Sequence, residues 1–458
     1  MLGFESIGNA TITCFDGKPL LVTDPWINGD AYFGSWGLSY DIPPEQMEHI
    51  RQCEYVWFSH GHPDHMNGDS LPAFSGKKIL LPDFVGGRIK KDLTEQGYNV
   101  TTLPDGVWYR LSENVEVMCF TDYYQDSILL IRIGDALVID LNDAVERGWE
   151  RKVKKIAAGF AAQGKDVYLL RLSGYGDADM INCWDENDRF IEPWAAQKFP
   201  VGKSLIPSAK NYSVRYVIPS SSFHCYRRSD SIWAEKYTTP YDSYGEGFDV
   251  PGCELLPGFV RVDVRNKKID RIACQESDRT PRDPKAYGDD WSETLDAEDK
   301  RALTSYFTSK QRLADLLGFV TLRVGKQDYT IDLGDRSKRT KAGITFEVPR
   351  GSLMTCVKYE IFDDLLIGNF MKTTLHGVDS LYPWFTPAVA KYADNGRAKT
   401  KAELRSYFVE YLRRDPKGFL MHHLEANADH VFRRLVPSDS KVFSATKKLY
   451  YTLKGIPQ

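Results

Sequence analysis

Up to about residue 262 the chain alternates short β-rich runs with stretches whose apolar residues fall at helical spacing. "ATITCFDGKPLLVTDPW" reads as a hairpin, because Asp16-Gly17 is a strong two-residue turn signal between alternating segments. "YVWFSH", "KKILLP", "YNVTTL", "NVEVMCF", "SILLIRIGDALVIDL", "DVYLLRLS" and "VRYVIPSSSF" are predicted strands. Between them, "GGRIKKDLTEQGY", "VERGWERKVKKIAAGFAAQG" and "EPWAAQKFPVGKSLIPSAKN" are predicted helices. Strands in excess of helices, several joined as hairpins, predict two sheets covered by helices.

From residue 263 to about 300 the pattern is lost in a polar, charged run, predicted as a linker. A second unit, 301–458, follows with a helix ("RALTSYFTSKQRLADLLG"), strands ("FVTLRVGKQDYTIDLG", "GITFEVP") and the segment "GSLMTCVKYEIFDDLLIGNFMKTTLHG". From Leu381 onward the pattern is mostly that of amphipathic helices.

Composition adds exclusions. The 458 residues carry a net charge of −4, which gives no general pull toward nucleic acid or an anionic membrane. The first residues show no basic start followed by an apolar run, and no stretch reaches the ~18 apolar residues of a membrane span. The eight cysteines form no CxxC or CxH pair, so no zinc ribbon or Rieske cluster is legible, and reduced thiols in the cytoplasm are the expectation.

One stretch carries chemistry. "FSHGHPDHMNG" places His60, His62, Asp64 and His65 within six positions of a chain with nine histidines, where a strand turns toward a helix. Residues two apart on extended chain point the same way, so His60 and His62 can grip one ion. Asp64 and His65, displaced by the turn, can reach a second. His422, His423 and His430 in "MHHLEANADH" read as ordinary surface or core histidines rather than a metal helix.

HxHxDH after such a strand, with "LLVTDPW" one hairpin upstream, resembles the metallo-β-lactamase superfamily, and this implies a four-layer αβ/βα sandwich with metals at the sheet ends. Asp24, before Pro25, is either a plain strand-ending turn or a brace for the site. The resemblance implies three further ligands. Asp143 in "ALVIDLNDA" stands where a bridging aspartate is expected, with Asp140 the alternative, and His224 in "RYVIPSSSFHC" stands where a late histidine is expected. No histidine lies between His65 and His224. Asp126 in "TDYYQDS" occupies the place where the superfamily often has one, with Asp122 in reserve. Cys225 points away if His224 lies on extended chain.

The implied pair of sites is thus His60, His62 and Asp126 for one ion and Asp64, His65 and His224 for the other, bridged by Asp143. Asp64 and Asp143 are the carboxylates assigned to catalysis. This carboxylate-rich, thiolate-free set favours iron, with zinc or manganese as alternatives.

Three segments resemble one narrower family, the CMP-N-acetylneuraminate hydroxylases: "LLVTDPWINGDAYFGSWGLSYDIPPEQMEHIRQCEYVWFSHGHPDH", "QDSILLIRIGDALVIDLNDA" and "DDLLIGNFM". That family carries a Rieske domain, so dioxygen chemistry here implies electrons from a separate donor or from the substrate. Part of the second unit resembles a sterol-carrier-type α+β domain, which implies an apolar groove; packing on the first unit, or on a second copy in a homo-oligomer, is the other reading. Three functions follow. The first is iron- and dioxygen-dependent oxidation of a small substrate, sugar- or nucleotide-linked in that family. The second is metal-assisted hydrolysis of an ester, amide or phosphodiester. The third is a non-catalytic metal-stabilised scaffold. "GSWGLSYD" and "SGYGDADMINCW" are candidate pocket loops, with Tyr123, Tyr124 and Tyr175 as candidate substrate contacts.

Overall fold

In the computed structural model, residues 1–144, 148–176, 180–334 and 342–424 are described. Two large sheets face each other. The first has eight strands in the order Lys268–Arg271, Val260–Asp263, Leu2–Ile7, Thr11–Asp16, Lys18–Thr23, Tyr55–Trp57, Lys78–Pro82 and Asn99–Leu103. The second has seven: Glu254–Leu255, Tyr216–Ser220, Val167–Leu172, Ala136–Asp140, Ser127–Ile133, Val115–Thr121 and Tyr109–Arg110. In each, an antiparallel meander continues into parallel strands, and the parallel strands bring their carboxyl ends to one side.

Period-two alternation explains the layering. Along Ser127–Ile133, Leu129, Ile131 and Ile133 join Phe4, Ile12, Leu21 and Leu80 in the core between the sheets. Ile128 and Leu130 point outward to Val153, Ala157, Leu205 and Ala209 on the helices Glu150–Ala161 and Val201–Tyr212. The outer face of the first sheet meets Ile50 and Leu93 on the helices Pro44–Gln52 and Arg88–Glu95. The order is helix, sheet, sheet, helix. Strands apolar on both faces are buried on both, at roughly 1.5–3 kcal/mol for each large aliphatic side chain.

The second unit is a five-stranded sheet in the order Cys183–Trp184, Lys372–His376, Gly343–Glu347, Phe319–Val324 and Gln327–Asp332. Its core gathers Leu303, Phe307, Leu322, Phe346, Phe362 and Phe385. The edge strand Cys183–Trp184 comes from the first unit, so the two are interleaved rather than strung in series.

Residues 264–300, predicted as a linker, are instead strapped down. Lys268–Arg271 pairs with Val260–Asp263 and extends the first sheet past residue 262. Further on, Arg282 pairs with Asp30 at 2.7 Å, Tyr287 donates to Asp30 at 2.6 Å, and the fully buried Asp289 meets Arg228 at 2.7 Å. Of the charges that read as solvated, Arg282 and Asp289 are thus paired with the first unit, while Glu293 and Asp296 face Arg350 of the second. Among the described residues no helix is long and apolar enough to cross a membrane.

Candidate metal centre

The site lies at the carboxyl ends of the parallel strands of both sheets, where loops leave the hydrogen-bonded ladder and side chains from separate strands converge. Three of these exits turn through left-handed backbone at non-glycine residues: Asp24 (φ 42°), Asn142 (φ 48°) and Ser221 (φ 59°). Such conformations cost of order 1–3 kcal/mol and persist only where surroundings enforce them. Asp24 shows the enforcement. Its carboxylate accepts from the Ser59 amide (2.8 Å), from Nδ2 of Asn142 and from Nδ1 of His65 (3.2 Å). It is therefore both a strand-ending turn and a brace joining three loops.

His60, His65 and Asp143 come together, their potential ligand atoms all within 4.8 Å of one another. Nε2 of His65 lies 3.4 Å from Oδ2 of Asp143, and Nε2 of His60 lies 3.7 Å from the same oxygen. His62 adjoins them, with its Nδ1 2.8 Å from Nε2 of His60. Asp64 lies 3.2 Å from Nε2 of His65, while its two oxygens accept from Tyr32 Oη (2.5 Å) and Asn9 Nδ2 (2.9 Å).

The outer nitrogens decide which lone pairs face inward. Nδ1 of His65 donates to Asp24, Nδ1 of His60 meets Ser59 Oγ at 2.9 Å, and Nε2 of His62 meets Asp363 Oδ2 at 3.1 Å. With each outer nitrogen as the donor, the inner ones present lone pairs to a common space. Two imidazole lone pairs 2.8 Å apart repel unless a cation or proton lies with them. Oδ1 of Asp143 is, moreover, buried without a hydrogen-bond partner among the described residues. Buried polar atoms are rarely left so. These residues fit a metal.

The remaining predicted residues lie as follows. His224, on the strand His224–Tyr226, is buried and stacks on Trp36 at 3.5 Å; burial pulls its imidazole down to about 3, against the pull of Asp64, so it is neutral at pH 7. Asp126 lines the cavity beside Lys391, and its carboxylate adds to the forces that raise the Lys391 ammonium. Asp122 is spent on the turn, accepting from the amides of Tyr124 (2.7 Å) and Asp126 (3.2 Å). Asp140 accepts from the Asn142 amide, and burial pushes its carboxyl well above the usual range. Cys225 turns its thiol to the Leu38 carbonyl at 3.6 Å.

A cavity of about 530 Å³ opens onto this centre. Tyr32, Trp36, Asp64 and Asp143 form part of its floor, and Met180, Ile181, Ile191, Ile367, Leu375 and Leu381 give it apolar walls. Both loops flagged in the sequence contribute, through Trp36 and through Met180, Ile181 and Cys183. Tyr123, Tyr124 and Tyr175 do not line it. Tyr123 packs with Tyr407 and Tyr411, Tyr124 against Tyr392, and Tyr175 in the first unit's core. His423 stacks on Phe419 at 4.0 Å, and His430 lies outside the described residues.

Sequence reasoning missed Tyr32, Asn9, Asp363 and Lys391. Asp363 accepts from Nζ of Lys391 at 2.9 Å as well as from His62. Burial opposes its ionisation, but the Lys391 ammonium and His62 outweigh it and hold its carboxyl well below the usual range. Its neighbour Asp364 is pushed up to about 7 by burial.

No protein-family model matches the chain. Over 314 residues it is 22% identical to the inactive cytidine monophosphate-N-acetylneuraminic acid hydroxylase of Homo sapiens, a match covering 63% of this chain and 60% of that protein. Over 229 residues it is 24% identical to the cytidine monophosphate-N-acetylneuraminic acid hydroxylase of Gorilla gorilla gorilla, covering 47% of this chain and 36% of that one. The chain therefore spans less than two thirds of the length of these relatives. Among solved structures, an isothiocyanate hydrolase from Delia radicum gut bacteria is similar at a TM-score of 0.35 and 11% identity, covering 57% of this chain and 98% of that one. A diphosphatase of the PhnP family is similar at 0.29 and 12%, covering 55% and 83%. Both structural likenesses are too remote to bear on the chemistry.

Proposed function

We propose that this chain is a metal-dependent enzyme that holds two ions and oxidises or hydroxylates a small organic substrate with dioxygen. Nε2 of His60, Nδ1 of His62 and Asp126 would hold one ion, Asp64, Nε2 of His65 and His224 the other, with Asp143 between. The observation that carries this reading is the convergence, beside the cavity, of inward-facing imidazole nitrogens with an Asp143 oxygen that has no hydrogen-bond partner among the described residues. Imidazoles and carboxylates without thiolate suit iron, and zinc or manganese less selectively. Ferrous ions, when bound, would supply the redox chemistry, with electrons from a separate donor or from the substrate. The lean to oxidation rather than hydrolysis rests only on the partial similarity to cytidine monophosphate-N-acetylneuraminic acid hydroxylase.

The chain's own groups would then do three things. The apolar walls exclude water and take the substrate's body. Tyr32 holds a proton at its Oη against Asp64 on the cavity floor. The braces from Asp24, Ser59 and Asp363 keep the imidazoles oriented. Among the described lining residues Lys391 is the cation, and Asp363 already takes its charge. The apolar walls suit a small organic body, and any anionic group of the substrate would turn to the ions at the floor rather than to Lys391.

Metal analysis of aerobically grown protein, followed by oxygen uptake after ferrous loading, tests this. Iron near two per chain with consumption of dioxygen is expected. Zinc as the tightly held ion, with no oxygen uptake, would move the assignment to metal-assisted hydrolysis.

A further inference from the structure

We infer that the C-terminal unit completes the metal centre: Asp363, fixed by Lys391, is a positioning residue that sets the tautomer of His62. The inference rests on the two-ion reading above and assigns to the second unit a part in the centre.

Asp363 sits on the short helix Phe362–Ile367, whose Phe362, Leu365 and Leu366 are buried in the second unit's core while Ile367 joins the core of the first. Its carboxylate leaves that core and crosses to the first unit. There Oδ2 meets Nε2 of His62 at 3.1 Å and Nζ of Lys391 at 2.9 Å, with both charged side chains under 10% exposed. Lys391 comes from a different element, the wide-turned π-helix Pro387–Asn395, a geometry that recurs at functional sites.

The unit is held in register on both sides of this contact. Ser35 Oγ donates to the Gly368 carbonyl at 2.5 Å, and Asn369 Nδ2 donates to Tyr226 Oη at 2.9 Å. On the other side Arg88 donates to the carbonyls of Glu360 (2.8 Å) and Tyr359 (2.6 Å).

A carboxylate on the outer nitrogen of an imidazole fixes the proton there and turns the other nitrogen into a ligand. For His62 that other nitrogen is Nδ1, 2.8 Å from Nε2 of His60. A neutral acceptor could do this too; the charge of Asp363 makes the imidazole a stronger donor to a cation. Lys391 keeps that charge from standing alone in a buried place, where an unpaired ion is strongly disfavoured. Purely as a stabilising device the pair has little to recommend it, since buried ion pairs seldom outperform apolar packing. Its position behind a ligand-type histidine gives it a use. Docking of the second unit and occupancy of the centre are then linked, each favouring the other.

The test uses the full chain and cobaltous ion as probe, titrated into metal-free protein against a competing chelator. Wild type is expected to take two ions. Asp363→Ala should weaken one of them about 10–100-fold, the range typical of lost outer partners, and leave the other within a few-fold. Asp363→Asn, which keeps an acceptor of the same shape, should fall between, and remains informative if the alanine variant fails to fold. Lys391→Met should weaken the same ion. In the cobalt-loaded protein, the paramagnetically shifted exchangeable N–H resonance of one imidazole should vanish in Asp363→Ala, a signal that a merely structural residue would not control. Two ions at wild-type affinity in Asp363→Ala, with every such resonance retained, would overturn the inference and leave the two-ion reading standing. A wild type that takes up no ion would sink that reading and this inference together.

Discussion

Asp143→Ala is expected to emerge from purification with neither ion and with turnover at least about a thousandfold below wild type. The size follows from place. Oδ2 of Asp143 lies near two histidines at once, 3.4 Å from His65 and 3.7 Å from His60, while Oδ1 is buried without a hydrogen-bond partner among the described residues. Removing it takes away the one carboxylate placed between the two proposed ions, leaving Asp64 and Asp126 to balance them singly. A metal contributes several kcal/mol to a reaction it assists, and ~4 kcal/mol is about three orders of magnitude in rate. The fold should survive, because Asp143 is partly exposed and belongs to no core cluster. Metal analysis, turnover and far-ultraviolet circular dichroism on one preparation check the three parts. A variant that retains both ions would show that Asp143 does not bridge them.

The second large effect is on stability. Arg228→Met is expected to destabilise the protein by about 3 kcal/mol, because it strips the cationic partner from a buried carboxylate that keeps only the neutral donors of Ser352. The Arg228 side chain is fully buried. It pairs with the equally buried Asp289 at 2.7 Å and with Asp230 at 2.8 Å, donates to the Phe33 carbonyl, and lies 3.9 Å from the centre of the Phe370 ring. One side chain thus ties together the loop beneath Trp36, the charged strap and the segment that follows Asp363. Urea unfolding measures the loss. A change below about 1 kcal/mol would mean that water or a rearranged neighbour satisfies Asp289. The double variant Arg228→Met/Asp289→Asn should recover part of the loss, since it removes the stranded charge.

How much of this was legible in the sequence depends on range. The histidine cluster was legible because its chemistry is confined to one turn after one strand. The sheets were legible because two-sided burial writes itself as apolar runs, as in Ser127–Ile133 and Ala136–Asp140. Asp363 was not, since it meets His62 across 301 positions of chain. A signal existed nonetheless: two adjacent aspartates within "FDDLLI" face a core that tolerates charge only when it is paired. Lys391, inside "PAVAKYADN", carries the same signal. The strap at 264–300 reads as solvent-facing because its partners, Asp30 and Arg228, lie far upstream. Tyr123, Tyr124 and Tyr175 stay candidates on sequence alone, because loop composition cannot distinguish a tyrosine lining a cavity from one filling a core, and here they pack among other aromatic and apolar side chains.

The most direct measurement is anomalous diffraction from a crystal of the iron-loaded protein, collected on both sides of the iron edge. Two peaks about 3.5–4 Å apart are expected, one by His60, His62 and Asp126, the other by Asp64, His65 and His224, with Asp143 reaching both. A single peak, or none within coordination distance of Asp143 and His224, would contradict a paired centre.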